Sequence, residues 1–312
     1  MRVNLQNGLL IFLILAGAIV FFSCGSNTSE KKVPDTPTSG YITVKGSEEI
    51  LPMITEEAYA FMDLYEKSKV LVLDGGSDLG LAAIFTDSAQ IAVSTRAMSD
   101  AERKRAGEAG FKINEYKIAK DGIAIVVNPK NPIKKLTLEQ VTNIFSGKIK
   151  NWSEVKGADL PIEVCVWTEN SGTYKYFKDS ILRDKDYTKN AWRFATTEDI
   201  IKHINGNPSA VGMISSARLY YNWSPIQEET RIKALSISQG PQGDYIYPDE
   251  ATVHSAKYPL TRYIYLYTPN DPKGLDSGFI SYITASAGQK LIAGNGFVPI
   301  TIPVKYTEES TP

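Results

Sequence analysis

The chain has 312 residues, 43% of them hydrophobic and 22% charged, enough to bury cores for about two domains. Its 34 basic and 35 acidic residues leave a net charge of -1, which excludes an overall field holding it on nucleic acid or an anionic membrane. Any anion site must be local, and two histidines and two cysteines leave little stock for zinc sites or histidine-based triads.

The first element in chain order is an address. Arg2 precedes LLIFLILAGAIVFF (9–22), an apolar run of export-signal length but short for a membrane span, and Ser23-Cys24-Gly25 follows. A cysteine after a small residue at the end of such a run resembles a bacterial lipobox, although Phe21 and Phe22 stand where that motif usually has an aliphatic and a small residue. The expectation is a lipoprotein signal peptide over 1–24, with Cys24 lipidated and the chain exported and anchored on the periplasmic or outer face of a bacterial membrane. A plain signal peptide or an anchor helix is the alternative. Residues 25–40 are polar and proline-bearing with almost nothing to bury, and read as a flexible tether, so the folded body is expected from Tyr41. Cys165, in the alternating IEVCVW (162–167), reads as a packed strand residue.

From Tyr41 short β-branched runs alternate with helical patterns. YITV precedes ILPMITEEAYAFMDLYEK, VLVLD precedes LGLAAIF, and IAV precedes SDAERKRAGEAG, which leads into FKINEYKIA and DGIAIVV. This is α/β alternation, with ligands expected outside the C-terminal strand ends. Asn-Pro pairs in IAIVVNPKNPIKK break the pattern and open a second unit, carried on by LTLEQVTNIFSGKIKNW. IKALSI (232–237) and TRYIYLYT read as strands, and GLDSGFISYITASAGQKLI as helical. The expected organisation is a discontinuous first lobe, 41–122 and 232–305, around a second lobe, 123–231, with two crossings forming a hinge beside a cleft.

Four turns share one design. VKGSEEILP (44–52) leaves a strand through Gly46-Ser47, and LDGGSDLGLAA (73–83) through Gly75-Gly76-Ser77. IAVSTRAMSD (91–100) carries Ser94, Thr95 and Arg96, and TENSGTYKYF (168–177) carries Ser171, Gly172 and Thr173. Glycine lets the main chain approach a ligand, hydroxyls donate, and helix starts favour negative charge. One such turn is an ordinary helix cap; four together point to an anion.

These turns in this order, together with IFSGKIKNWSEV (144–155), AVGMIS (210–215) and YPLTRYIYLYT (258–268), resemble the substrate-binding component of the bacterial high-affinity phosphate ABC importer over about residues 41–305. The resemblance implies a type II periplasmic-binding-protein fold: two lobes, a hinge and a central anion cleft that closes on inorganic phosphate and delivers it to an ABC permease in the membrane. By the family's motifs, Gly46, Ser47, Ser77, Ser94, Ser171, Gly172 and Thr173 would contact the oxyanion, with Arg96 as the charged partner. Glu48 and Glu49 stand where the family often has Thr, Asp78 where it usually has Gly, and Thr168 where it commonly has Arg. Glu48 or Asp78 could accept the proton that phosphate carries and sulfate lacks; alternatively these acids are solvent-facing helix-start carboxylates.

No cofactor, metal or nucleic acid is implied. Other readings keep the fold and change the ligand to another tetrahedral oxyanion or a phosphorylated small molecule, or make the chain a phosphate sensor. A hydrolase lacks an evident general base beside its hydroxyls, and the tyrosines of YYNW (220–223) and YIYLY offer limited support for a surface adhesion lipoprotein.

Overall fold

In a computed structural model of the chain, residues 33–220 and 232–301 are described. The expected signal peptide, Cys24, tether residues 25–32 and most of the YYNW segment lie outside them.

The first lobe opens with β1 (Gly40–Gly46), α1 (Leu51–Leu64), β2 (Ser68–Leu73), α2 (Gly76–Ala83), β3 (Ile91–Ser94) and α3 (Asp100–Glu108). Strand β4 (Asn114–Val127) leads into β5 (Lys135–Thr137), α4 (Leu138–Phe145), β6 (Glu163–Trp167), α5 (Gly172–Phe177), β7 (Trp192–Phe194), α6 (Thr197–Gly206), β8 (Ala210–Ser215) and α7 (Ala217–Tyr220). After the undescribed stretch come β9 (Lys233–Ala234), β10 (Ser236–Ser238), α8 (Glu250–His254), β11 (Thr261–Thr268), α9 (Leu275–Thr284), α10 (Ser286–Gly294) and β12 (Val298–Pro299).

One strand belongs to both lobes. NEYKIA, from the first of two runs in the sequence, and DGIAIVV, the second, join through Lys120 as the single 14-residue β4. Its first half pairs antiparallel with β11 as far as Gly122, and from Ile123 onward it pairs antiparallel with β8. One continuous sheet runs β2-β1-β3-β11-β4-β8-β6-β7, with β9 and β12 also paired to β4, and β10 pairs with β5 separately. The apolar clusters divide at the same place: Ile42, Val44, Phe61, Ile264, Leu266 and Phe279 pack in one, and Ile123 to Val127, Trp152, Cys165, Trp167 and Ile214 in the other. Residues on both faces of β4 after Gly122 are fully buried, which is why that half reads as an unbroken apolar run.

Two boundaries differ from expectation. IKALSI, expected in the first lobe, packs with the second: Ala234 pairs with Val126, Ile237 with Leu136, and Leu235, Val253, Tyr258 and Leu260 join the second cluster. The return crossing therefore lies next to Thr261, where the Ile123 N–H donates to Leu260 O at 2.8 Å. The body also begins earlier than Tyr41. Pro37 O lies where a Cβ on Gly278 would come within 1.7 Å of it, and Asp35 Oδ1 accepts the Leu275 N–H at 2.9 Å, satisfying the start of α9. A segment with little to bury is thus fixed by hydrogen bonding, a signal absent from its hydropathy.

Asp35→Ala should cost about 1 kcal/mol, the usual worth of a helix-start acceptor, read as a lower urea midpoint with an unchanged slope.

Candidate functional site

The turns meet because glycine stands at each point of closest approach. A Cβ on Gly46 would lie 1.9 Å from Val93 O, so only glycine lets β1 leave the sheet there, and the Ser47 N–H donates to that same carbonyl at 3.1 Å. Gly75 and Gly76 adopt φ of 144° and 78°, backbone that side chains rarely take, and Gly76 abuts Asn170 O of the second lobe. A Cβ on Gly172 would stand 2.2 Å from Ser77 Oγ and 2.4 Å from Thr95 Oγ1. Two turns of the first lobe and the SGT turn of the second therefore touch, with Ser47, Ser77, Thr95, Ser171 and Thr173 all buried.

The hydroxyls differ in what they can still do. Ser77 Oγ accepts the Thr95 N–H at 3.1 Å and lies 3.4 Å from Thr95 Oγ1. Ser171 caps α5, accepting the Thr173 N–H at 3.1 Å. Ser47 Oγ is buried with no partner. Ser94, expected among the anion contacts, is turned away: its hydroxyl donates to Arg96 O at 2.7 Å and accepts the Arg96 N–H at 3.2 Å, so it is spent on its own turn.

The larger difference concerns the cation. Arg96 was the expected charged partner, yet its guanidinium is fully engaged inside the first lobe. Nε and Nη2 donate to Asp78 Oδ1 at 3.2 and 2.6 Å, Nη2 and Nη1 to the Glu102 carboxylate at 2.7 and 2.8 Å, and Nη1 to Ala97 O at 3.0 Å. Glu102 is held in place by a capping box with Ser99 at the start of α3. Burial pushes the Glu102 carboxyl up, but hydrogen bonds from Arg96 and Ser99 outweigh it and bring it down to about 2. Asp78, expected as a proton acceptor, instead accepts from Arg96 and pairs at 2.5 Å with Lys175 of α5, an ion pair joining the lobes.

The guanidinium at the meeting point is that of Arg262, on β11. Its side chain is 1% exposed. Nε and Nη2 donate to Asp121 Oδ2 at 3.1 and 2.8 Å, directly across the β11–β4 ladder, and Asp121 Oδ1 accepts from Ser215 Oγ at 2.7 Å. Nη1 donates to Thr173 Oγ1, and Nη2 reaches Glu49 Oε2 at 3.2 Å. Glu49 Oε2 also accepts from Thr173 Oγ1, while Oε1 has no partner. Burial raises the pKa of Glu49, only partly offset by Arg262 and the Thr173 hydroxyl.

Glu48 is half-buried and lines a cavity of about 230 Å³ with Asp74, Gly75, Gly76, Leu79, Thr168, Asn170, Ser171 and Ala195. Burial, and then the neighbouring Glu49 charge, push its carboxyl up to about 7. It is therefore neither an ordinary solvated helix-start carboxylate nor a fixed anion near neutral pH.

Asp121 and Arg262 escaped the sequence reading, which named Thr95 in its turn without a contact role and Glu49 only as a departure from the family. Arg262 had a signal. In TRYIYLYT it shares strand parity with Ile264 and Leu266, so a charge falls on the core face. Glu49 had none, because a second glutamate at a helix start reads as a dipole partner.

Among the described residues no helix is long and apolar enough to cross a membrane. The chain is 27% identical over 317 residues to the phosphate-binding protein PstS of Bacillus subtilis, covering 98% of each. It is 26% identical to PstS of Pseudomonas aeruginosa, covering 87% of this chain and 86% of the relative. Among solved structures, a substrate-binding protein of Clostridium perfringens with bound phosphate aligns with a TM-score of 0.72 at 24% identity, over 84% of this chain and 100% of that one. PstS of Borrelia burgdorferi aligns with a TM-score of 0.58 at 23% identity, over 85% and 100%. Residues 32–287 match the PBP superfamily domain, so the two-lobed α/β body with its shared crossing strand belongs to the PBP superfamily.

Proposed function

We propose that this chain is the solute-binding component of a phosphate ABC importer, capturing inorganic phosphate between its lobes and passing it to a membrane permease. The observation that carries the reading is the meeting of the GGS, ST and SGT turns beside one buried guanidinium, Arg262, which bonds Thr173 of the SGT turn, Thr95 O of the ST turn and Glu49, two residues after Ser47. The relatives' names agree with it. On this reading, among the described residues, the first lobe comprises 33–122 and 261–301 and the second 123–220 and 232–260. Ser47, Ser77, Thr95, Ser171, Gly172 and Thr173 contact the oxyanion, and Glu48, pushed up to about 7, stands beside it as a proton acceptor. Micromolar capture requires about 8 kcal/mol, and hydrogen bonds to a charged group contribute roughly 1.5–3 kcal/mol each, so five or six suffice against the ordering cost. No covalent step is required. Export and anchoring through Cys24 complete the proposal, placing the chain on the outer side of the membrane that holds the permease.

A second reading takes the ligand to be a phosphorylated small molecule, favoured by the cavity of about 230 Å³ opening beside Ser171, whose carboxylates Glu48 and Asp74 suit an ammonium substituent. Calorimetry with phosphate, arsenate, sulfate and phosphoethanolamine separates the two: the first reading expects heat with phosphate and arsenate, none with sulfate, and less with phosphoethanolamine.

Arg262→Lys keeps the charge but loses the forked donor geometry, and phosphate should bind at least 100-fold more weakly, about 2.8 kcal/mol. Arg96→Gln, whose partners lie within one lobe, should cost less than 10-fold; the reverse order would return the charged role to Arg96. Gly172→Ala forces a Cβ onto the Ser77 and Thr95 hydroxyls. It should abolish measurable phosphate binding while leaving the thermal midpoint within a few degrees. Cys24→Ala should release the chain from the membrane fraction, read by fractionation.

A further inference from the structure

Glu49 lies where the captured anion would need to be. Its side chain is fully buried, its Oε2 takes hydrogen bonds from Thr173 Oγ1 and Arg262 Nη2, and those two groups are among the donors that the phosphate reading assigns to the ligand. One guanidinium already faces two carboxylates there, Asp121 and Glu49. A phosphate dianion added to that set would enter a site that is net negative, where charges are poorly screened. Asp121 cannot yield easily, since it is in register with Arg262 across the sheet and also accepts from Ser215. Glu49 can. It sits at a helix start on the turn between β1 and α1, and its Oε1, like the nearby Ser47 Oγ, has no partner. A carboxylate left half-satisfied in a buried place is held weakly for its burial.

We infer that Glu49 is an internal anion that competes with the ligand for Thr173 and Arg262 and, by bonding Thr173 of the opposite lobe, latches the lobes together. The ligand half of this inference rests on the phosphate reading; the latch half does not. Ligand and Glu49 carboxylate use the same donors, so capture proceeds when Glu49 swings out or takes up a proton.

The direction with pH follows from its surroundings. Glu48 on its own turn is a like charge; Arg262 of β11 is the cation; Asp121 of β4 is a second anion. Thr173 of α5 donates to it, and Glu198 of α6 and Arg218 of α7, themselves an ion pair, line a small cavity with Glu48 and Glu49. Burial dominates and raises Glu49's pKa. A group raised in this way is charged, and competes, at high pH, and stops competing as pH falls through its pKa.

The test compares the full chain with Glu49→Gln, both in detergent, by calorimetric titration with inorganic phosphate at pH 8.5 and pH 5.5. Taking the ratio of the two dissociation constants removes phosphate's own ionisation. Glu49→Gln should bind at least 10-fold more tightly at pH 8.5, with a smaller ratio at pH 5.5. Because Glu48 also titrates near neutrality, the pair is repeated on a Glu48→Gln background, where the same trend is expected. Equal or weaker phosphate binding by Glu49→Gln at pH 8.5 would overturn the competition and make Glu49 a ligand contact. Hydrogen exchange without phosphate reads the latch: amides of 171–177 should exchange at least 10-fold faster in Glu49→Gln, and unchanged exchange would overturn it. If neither protein gives heat with phosphate, the phosphate reading falls and the competition with it, while the exchange result still decides whether Glu49 joins the lobes.

Discussion

The architecture turns on one buried cation. Arg262 has lost its water entirely, a cost of several kcal/mol that only close carboxylates and further hydrogen bonds can offset. It finds Asp121 across the ladder, Thr173 from the opposite lobe and Glu49 from the first turn. Removing any one would leave a charge or donor stranded in a place water does not reach. This single requirement brings together β4, β11, α5 and the turn after β1, and it explains why hydroxyls and glycines, rather than larger side chains, fill the space around it.

Asp121 stands beside the point where β4 changes partners: it and Gly122 are the last residues paired with β11, and pairing with β8 starts at Ile123. Its two oxygens serve both sides of that change: one takes Arg262 on β11, the other Ser215 at the end of β8. The strand that joins the lobes and the charge that defines the cleft are therefore held by the same carboxylate. Lys175–Asp78 adds a more exposed tie between the lobes.

Much of this fold was legible in the chain. Alternation of β-branched runs with helical patterns locates β1 to α3 and β11 closely, because hydrophobic period is a local property. Asp121-Gly122 interrupts an apolar run just where β4 changes partners, whereas the short strands of IKALSI pair with β4 and β5, a non-local choice that no local pattern encodes. Where the turns meet, glycines and hydroxyls were legible because close approach demands them, and the buried arginine beside them was not. Arg96 sits in a turn and looks available, yet Asp78, Glu102 and the Ala97 carbonyl take every guanidinium N–H it has. Arg262 sits inside a strand and looks structural, although its parity places it on the core face.

The shared strand β4 sets the mechanics of any opening. On the proposed reading, with Arg262 and Asp121 beside the residues where β4 passes from β11 to β8, the point that senses charge would also be the fulcrum. A change of charge there has no lever arm to travel: it acts at the pivot itself, so the torque it exerts is small while the energy it controls is large. A chain so built would behave less like jaws pulled shut from their tips than like a knee whose joint stiffens or loosens.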